Sequence, residues 1–218
     1  MNGFEKQELE TQGMMSRLFG SKPGHNALVE INNFLAESTA ATELTEEIVS
    51  NFIKNWGAKF DSSNIEYRSS MYRKVADHVY ISAVSKDDPV FEETKHLAQV
   101  LELPEKLQRL ADNGAKKVAY FSRCRKIISG EEPLTISEIN NVFGYDYEDG
   151  YDIRVQVFHD YLNKKFDEIA EQQRFSPDEE TALREICTKL DIPYEFKPNI
   201  QNALDKYRYL WSAENAPL

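Results

Sequence analysis

Between Asp146 and Asp152 the chain sets four carboxylates, Asp146, Glu148, Asp149 and Asp152, within seven residues. Oxygen ligands at this density suit a hard divalent cation such as calcium or magnesium, provided the side chains converge. The spacing departs from the calcium-loop template, which would place Tyr145 and Tyr147 at ligand positions and lacks the closing glutamate here. His159 and Asp160 follow shortly after, which opens a second chemistry, acid–base hydrolysis around the same carboxylates. The competing reading is a solvated loop whose acids start the next helix. No organic cofactor is expected, and a divalent cation is the one ligand these acids suggest.

Other reactive types are scattered. His25, His78, His96 and His159 form no pair four residues apart of the kind zinc hydrolases use. Cys124 lies among Arg123, Arg125 and Lys126, a setting that lowers a thiol pKa when exposed, whereas Cys187 falls on an apolar helix face. No phosphate-binding glycine loop and no Gly-x-Ser-x-Gly turn is present, so no catalytic residue is assigned.

Candidate recognition residues fall into three groups. Tyr145, Tyr147 and Tyr151 offer apolar rings with polar tips beside the acidic loop. Lys116, Arg123 and Lys126 share one helical face at spacings of seven and three, suited to an acidic peptide or to another part of this acidic chain. Met14, Leu18 and Phe19 form an apolar island early in the chain, with the spacing of a short docking helix.

These residues need elements to position them, and composition bounds what those are. The chain has 218 residues, 41% hydrophobic and 29% charged, which is enough for one domain or two small ones. Its net charge of -11 makes nucleic acid a poor partner. No apolar run reaches membrane-span length, no secretory leader is visible, and two cysteines give no disulfide framework. A reducing, cytoplasmic setting is the expectation.

Apolar residues recur at helical spacing throughout. Helices are predicted through Ala27–Leu35, from a Thr42 cap to about Gly57, after Asn64, and from Asp88-Pro89 to Leu101. A further set is predicted from about Ala115 to Ile128, from a Thr135 cap to Phe143, over Ile153–Ile169, from Ser176-Pro177 to Leu190, and over Ile200–Leu210. Leu44-Thr45, Glu47-Ile48 and Phe52 through Leu101-Glu102-Leu103-Pro104 match Leu134-Thr135, Glu138-Ile139 and Phe143 through Leu190-Asp191-Ile192-Pro193. The match suggests a three-helix unit used twice.

The start Phe175-Ser176-Pro177-Asp178-Glu179-Glu180, followed by Ile186, Leu190, Asp191, Ile192 and Pro193, resembles the module-ending helix of tellurite-resistance TerB-like proteins. That resemblance implies an all-helical scaffold. The family's paired aspartates at the first helix of each unit are missing, Glu43, Glu46 and Glu47 standing near one start and Glu138 near the other. Only the fold is carried over.

The expectation is therefore an all-α, orthogonal or solenoid-like bundle. It comprises a flexible arm at 1–24, a first helical unit at 25–112, a connecting helix and turn at 113–133, and a second unit at 134–218 packed on the first. Its expected role is a non-catalytic interaction or scaffold module for a protein or peptide, with a second copy of the chain as a further candidate partner. The alternatives are a metal-dependent or acid–base hydrolase using the acidic loop, and a structural assembly component.

Overall fold

A computed structural model describes residues 3–10 and 23–216. Among the described residues there are nine α-helices and no strands. They are α1 (Pro23–Glu37), α2 (Glu46–Asn55), α3 (Ile65–Ser82), α4 (Phe91–Val100), α5 (Glu105–Ser129), α6 (Ile136–Phe143), α7 (Tyr151–Gln172), α8 (Pro177–Lys189) and α9 (Pro198–Glu214). No described helix is long and apolar enough to cross a membrane. The chain divides into two compact units, Met1–Ala119 and Tyr120–Leu218. The apolar island Met14, Leu18 and Phe19 lies outside the described residues.

Each unit contains the same three helix boundaries, made by the same devices. Thr45 and Thr135 cap α2 and α6, each accepting a backbone N–H three residues on at 3.3 Å. Glu138 returns the bond to the Thr135 N–H at 2.7 Å, completing a capping box, and Ser176 with Glu179 does the same for α8. Gly57 and Gly144 end α2 and α6 in the left-handed region, at φ 59° and 64°. The following N–H groups, of Ala58 and Tyr145, reach back to the carbonyls of Ile53 and Asn140 at 2.8 and 2.9 Å.

Helices α4 and α8 stop in the same way, but with an acid in the left-handed position. Glu102 has φ 47° and Asp191 φ 53°. Leu103 N–H bonds the Ala98 carbonyl at 2.9 Å, and Ile192 N–H bonds the Cys187 carbonyl at 3.0 Å. Pro104 and Pro193 then forbid continuation. A side chain in this region is strained, so the paired acids mark the two ends as one design.

The long helix of each unit, α3 or α7, carries a buried arginine as its fourth residue, Arg68 and Arg154. Arg68 donates to the carbonyls of Leu101 at 2.7 Å, Glu102 at 3.1 Å and Asp61 at 3.0 Å. It thereby satisfies the orphan carbonyls at the end of α4, where the helix dipole favours a cation. The first unit's core, including Leu28, Ile31, Leu35, Val75, Val79 and Leu97, closes around this joint. Each such side chain contributes about 1.5–3 kcal/mol on burial.

Three elements differ from the sequence reading. Thr42 lies in a short 3-10 turn, Ala41–Glu43, and Thr45 is the cap. Helix α4 starts at Phe91, because the Asp88 carboxylate accepts from the N–H groups of Val84 and Val90 and closes a turn first. Helix α5 runs unbroken from Glu105, ten residues before the expected start, through Gly114. A β-carbon at Gly114 would meet nothing within 4 Å, so its cost is the loss of helix propensity alone, about 1 kcal/mol.

Caps of this kind leave a signature in acid. Glu138 has its pKa lowered, first by the Thr135 backbone N–H and then by the Thr135 hydroxyl. A carboxylate with a depressed folded pKa stabilises above its unfolded pKa and loses that contribution as pH falls through the folded value. Glu138→Gln should therefore melt below the parent protein at about pH 7, with the gap closing toward about pH 3. Melting curves across that range check it, and a gap that persists at low pH contradicts it.

Candidate functional site

The acidic loop is built to close on itself. Asp146 Oδ1 accepts from the N–H groups of Glu148 at 2.9 Å and Asp149 at 3.0 Å, and Asp149 Oδ2 accepts from Asp146 N–H at 3.0 Å. These are the side-chain-to-backbone turns that aspartate favours. Glu148 is exposed, and Asp152 lies exposed in the first turn of α7. Among the described residues no three His, Cys, Asp or Glu side chains are grouped so as to hold a metal ion.

Beneath the loop lies Arg154, 0% exposed. It donates to the Tyr120 hydroxyl at 3.1 Å and to the Tyr147 carbonyl at 3.0 Å. Its guanidinium lies 4.6 Å from the centroid of the Tyr147 ring and 5.8 Å from that of Tyr151. Tyr120, fully buried, donates its own hydroxyl hydrogen bond to Asn140 Oδ1 at 2.7 Å. Burial pushes the Tyr120 phenol up to about 12, so it stays a neutral donor. The π faces and neutral oxygens replace part of the hydration a guanidinium loses on burial.

The tyrosines are therefore committed inward in part. Tyr145 packs on Tyr120 and Phe143. Tyr147 keeps 45% of its surface exposed, yet its hydroxyl donates to the Asp191 carbonyl at 3.3 Å. It thus serves the end of α8 as Arg68 serves the end of α4, which leaves Arg154 to hold Tyr120. Tyr151 is half-buried.

The three residues of the expected basic face have separate surroundings. Arg123 is 5% exposed, with its guanidinium 3.7 Å from Glu132 Oε1 and 5.6 Å from the Phe143 centroid. Lys126 is exposed in the second unit, and Lys116 reaches over the Tyr80 ring in the first. Cys124 is also buried, and desolvation pushes its thiol up to about 12, the reverse of an activated nucleophile. His96 Nε2 lies 2.8 Å from the Leu44 carbonyl, and His159 packs on Phe158.

One place distinguishes the two units. In the first, Gln99 Nε2 donates to Glu46 Oε1 at 2.7 Å, bridging the end of α4 to the start of α2. The equivalent positions in the second unit, Thr188 and Ile136, line an open hollow of about 470 Å³ together with Lys189 and Asp191.

The most organised recognition geometry lies where the sequence suggested a flexible arm. Residues 4–10 run extended along α1, and Phe4 enters the first unit's core at 8% exposure, with Lys74 Nζ 4.9 Å from its ring centroid. Asn33 forms two bonds to the backbone of Gln7: its Oδ1 accepts the N–H at 2.8 Å and its Nδ2 donates to the carbonyl at 2.9 Å. Asn26 treats Glu10 the same way, at 2.9 and 3.1 Å. Asn32, 1% exposed, donates to the Glu5 carbonyl at 2.8 Å. The arm is thus pinned over these residues because side-chain amides stand in for a neighbouring strand. Its one sequence signal was Asn26 and Asn33 seven residues apart in an amphipathic helix.

No family model, curated protein or solved structure matches the chain.

Proposed function

We propose that this chain is a cytoplasmic, non-catalytic helical module that binds an extended protein or peptide segment along α1. The observation that carries this reading is the pair of two-bond contacts from Asn26 and Asn33 to a main chain. An asparagine amide offers one donor and one acceptor, the complement of a backbone amide. Seven residues of helix advance about 10.5 Å, and three residues of extended chain advance about 10 Å. Asparagines at this interval therefore meet residues three apart on any extended segment. The rest of the molecule supports scaffolding: Arg68 and Arg154, both buried, are spent on carbonyls, a phenol and rings. The TerB-like stretch from Phe175 to Pro193 belongs to the same scaffold reading.

An array of random octapeptides, probed with the full chain carrying Phe4→Ala, tests it. A subset should be captured, and adding Asn33→Ala should weaken capture about tenfold, the worth of two modest hydrogen bonds. An array that captures nothing, or capture indifferent to Asn33, overturns the reading.

A further inference from the structure

From the contacts of residues 4–10 we infer that this segment is the groove's own exchangeable occupant. It holds the site closed against an outside segment that carries an aromatic residue followed two positions later by a cation. The inference rests on the reading of α1 as a segment-binding face.

The segment is held as a ligand is held, not as a core element. Its six residues after Phe4 are all exposed. No backbone group from Glu5 to Glu10 bonds another backbone group among the described contacts; the partners are side chains of α1. Elements with one buried anchor and solvent-exposed hydrogen bonds open at low free-energy cost. The α1 side is the better buried partner, with Asn26 and Asn32 each at least nine-tenths enclosed.

The side-chain contacts state what a competitor needs. Phe4 fills an apolar pocket under Lys74. Lys6 pairs with Glu37, on a wall that also carries Glu30. Gln7 Oε1 accepts the Tyr67 hydroxyl at 2.5 Å, and Glu10 stands 3.9 Å from His25 Nε2. Glu5, Glu8 and Leu9 make no side-chain hydrogen bond or ion pair among the described contacts. The pattern is aromatic, any residue, cation, polar, two of any kind, acid.

Competition follows from tethering. A covalently attached segment faces its groove at an effective concentration near the millimolar range, so a free peptide must overcome that advantage. Loosening the resident segment should raise apparent affinity for the free one.

The experiment is fluorescence anisotropy with a labelled octapeptide of sequence Gly-Phe-Glu-Lys-Gln-Glu-Leu-Glu, that of residues 3–10. It is titrated with the full chain as wild type, Phe4→Ala, Gln7→Pro, and Phe4→Ala with Asn33→Ala. Gln7→Pro deletes the N–H that Asn33 accepts and leaves the core anchor in place, so it remains informative if Phe4→Ala misfolds. The peptide should bind Phe4→Ala at least about tenfold more tightly than wild type, with Gln7→Pro between them and the double variant weak. Equal affinity for every single variant and wild type overturns the inference while leaving the groove reading intact. No binding to Phe4→Ala, when the octapeptide array still gives Asn33-dependent capture, also overturns the inference alone. An empty array removes both. A wild-type dimer that Phe4→Ala dissolves assigns the groove to a second copy's segment and overturns intramolecular occupancy.

Discussion

Gly150→Ala should lower the thermal midpoint by roughly 4–8 °C, the equivalent of about 2 kcal/mol in a chain of this size. A β-carbon at Gly150 would lie 2.4 Å from the Tyr120 hydroxyl and 2.5 Å from the ring carbon that bears it. Real β-carbons do not approach so closely, so something must move. Tyr120 is fully buried and tied to both Arg154 and Asn140, which makes it a poor candidate to yield. The backbone at Gly150 has φ -100°, ordinary for any residue, so the requirement for glycine is space rather than conformation. Two companion variants separate this cause from a general loop effect. Tyr120→Phe should not rescue, because the ring atoms themselves clash, whereas Tyr120→Leu combined with Gly150→Ala should recover part of the loss. An unchanged midpoint for Gly150→Ala would show that the close approach of Tyr120 is not maintained in solution.

The second large effect concerns Arg154. Arg154→Ala should cost about 3 kcal/mol in urea denaturation, since it empties a buried volume and strips donors from the Tyr147 carbonyl and the Tyr120 hydroxyl. Arg154→Met should cost only about 1 kcal/mol. No carboxylate pairs with Arg154 among the described ion pairs, so an apolar side chain of similar length strands no opposite charge. The remaining Tyr120–Asn140 bond survives either change. If methionine proves as damaging as alanine, the cationic contacts to Tyr147 and Tyr151 carry the stability, and the volume argument fails.

What could be read from the sequence divides along a physical line. Thr135 and Ser176 work within one helical turn, so their types and spacing suffice to place the starts of α6 and α8, whereas α2 is capped by Thr45 and not by the expected Thr42. The hydrophobic-acid-hydrophobic-proline ends were legible for the same reason. Helix α5 begins at Glu105, directly after Pro104, ten residues before its expected start, and tolerates Gly114 in its interior. The candidate site was harder. Arg123 reads as part of a basic recognition face and Arg154 carries no signal of its own, because charge in sequence says nothing about which ring stands opposite in space. The grip on residues 4–10 left no periodicity at all, since an extended chain bonded to side chains has neither the helical nor the strand repeat. In sequence, Asn26, Asn32 and Asn33 are ordinary polar positions of an amphipathic helix; only the segment they hold gives them a role.

The way α1 holds that segment has a consequence for how the protein can drift. A grip on amides is blind to what hangs from them. Of the residues from Phe4 to Glu10, Glu5, Glu8 and Leu9 contribute little beyond their backbone, and they can change without loosening the hold. The asparagines have no such freedom: aspartate removes the donor, and leucine removes both groups. In the language of information, the backbone half of this contact is stored on the helix, and the segment stores its own share at Phe4, Lys6, Gln7 and Glu10 alone. A fold arranged in this way can keep one clasp through many changes in what it clasps.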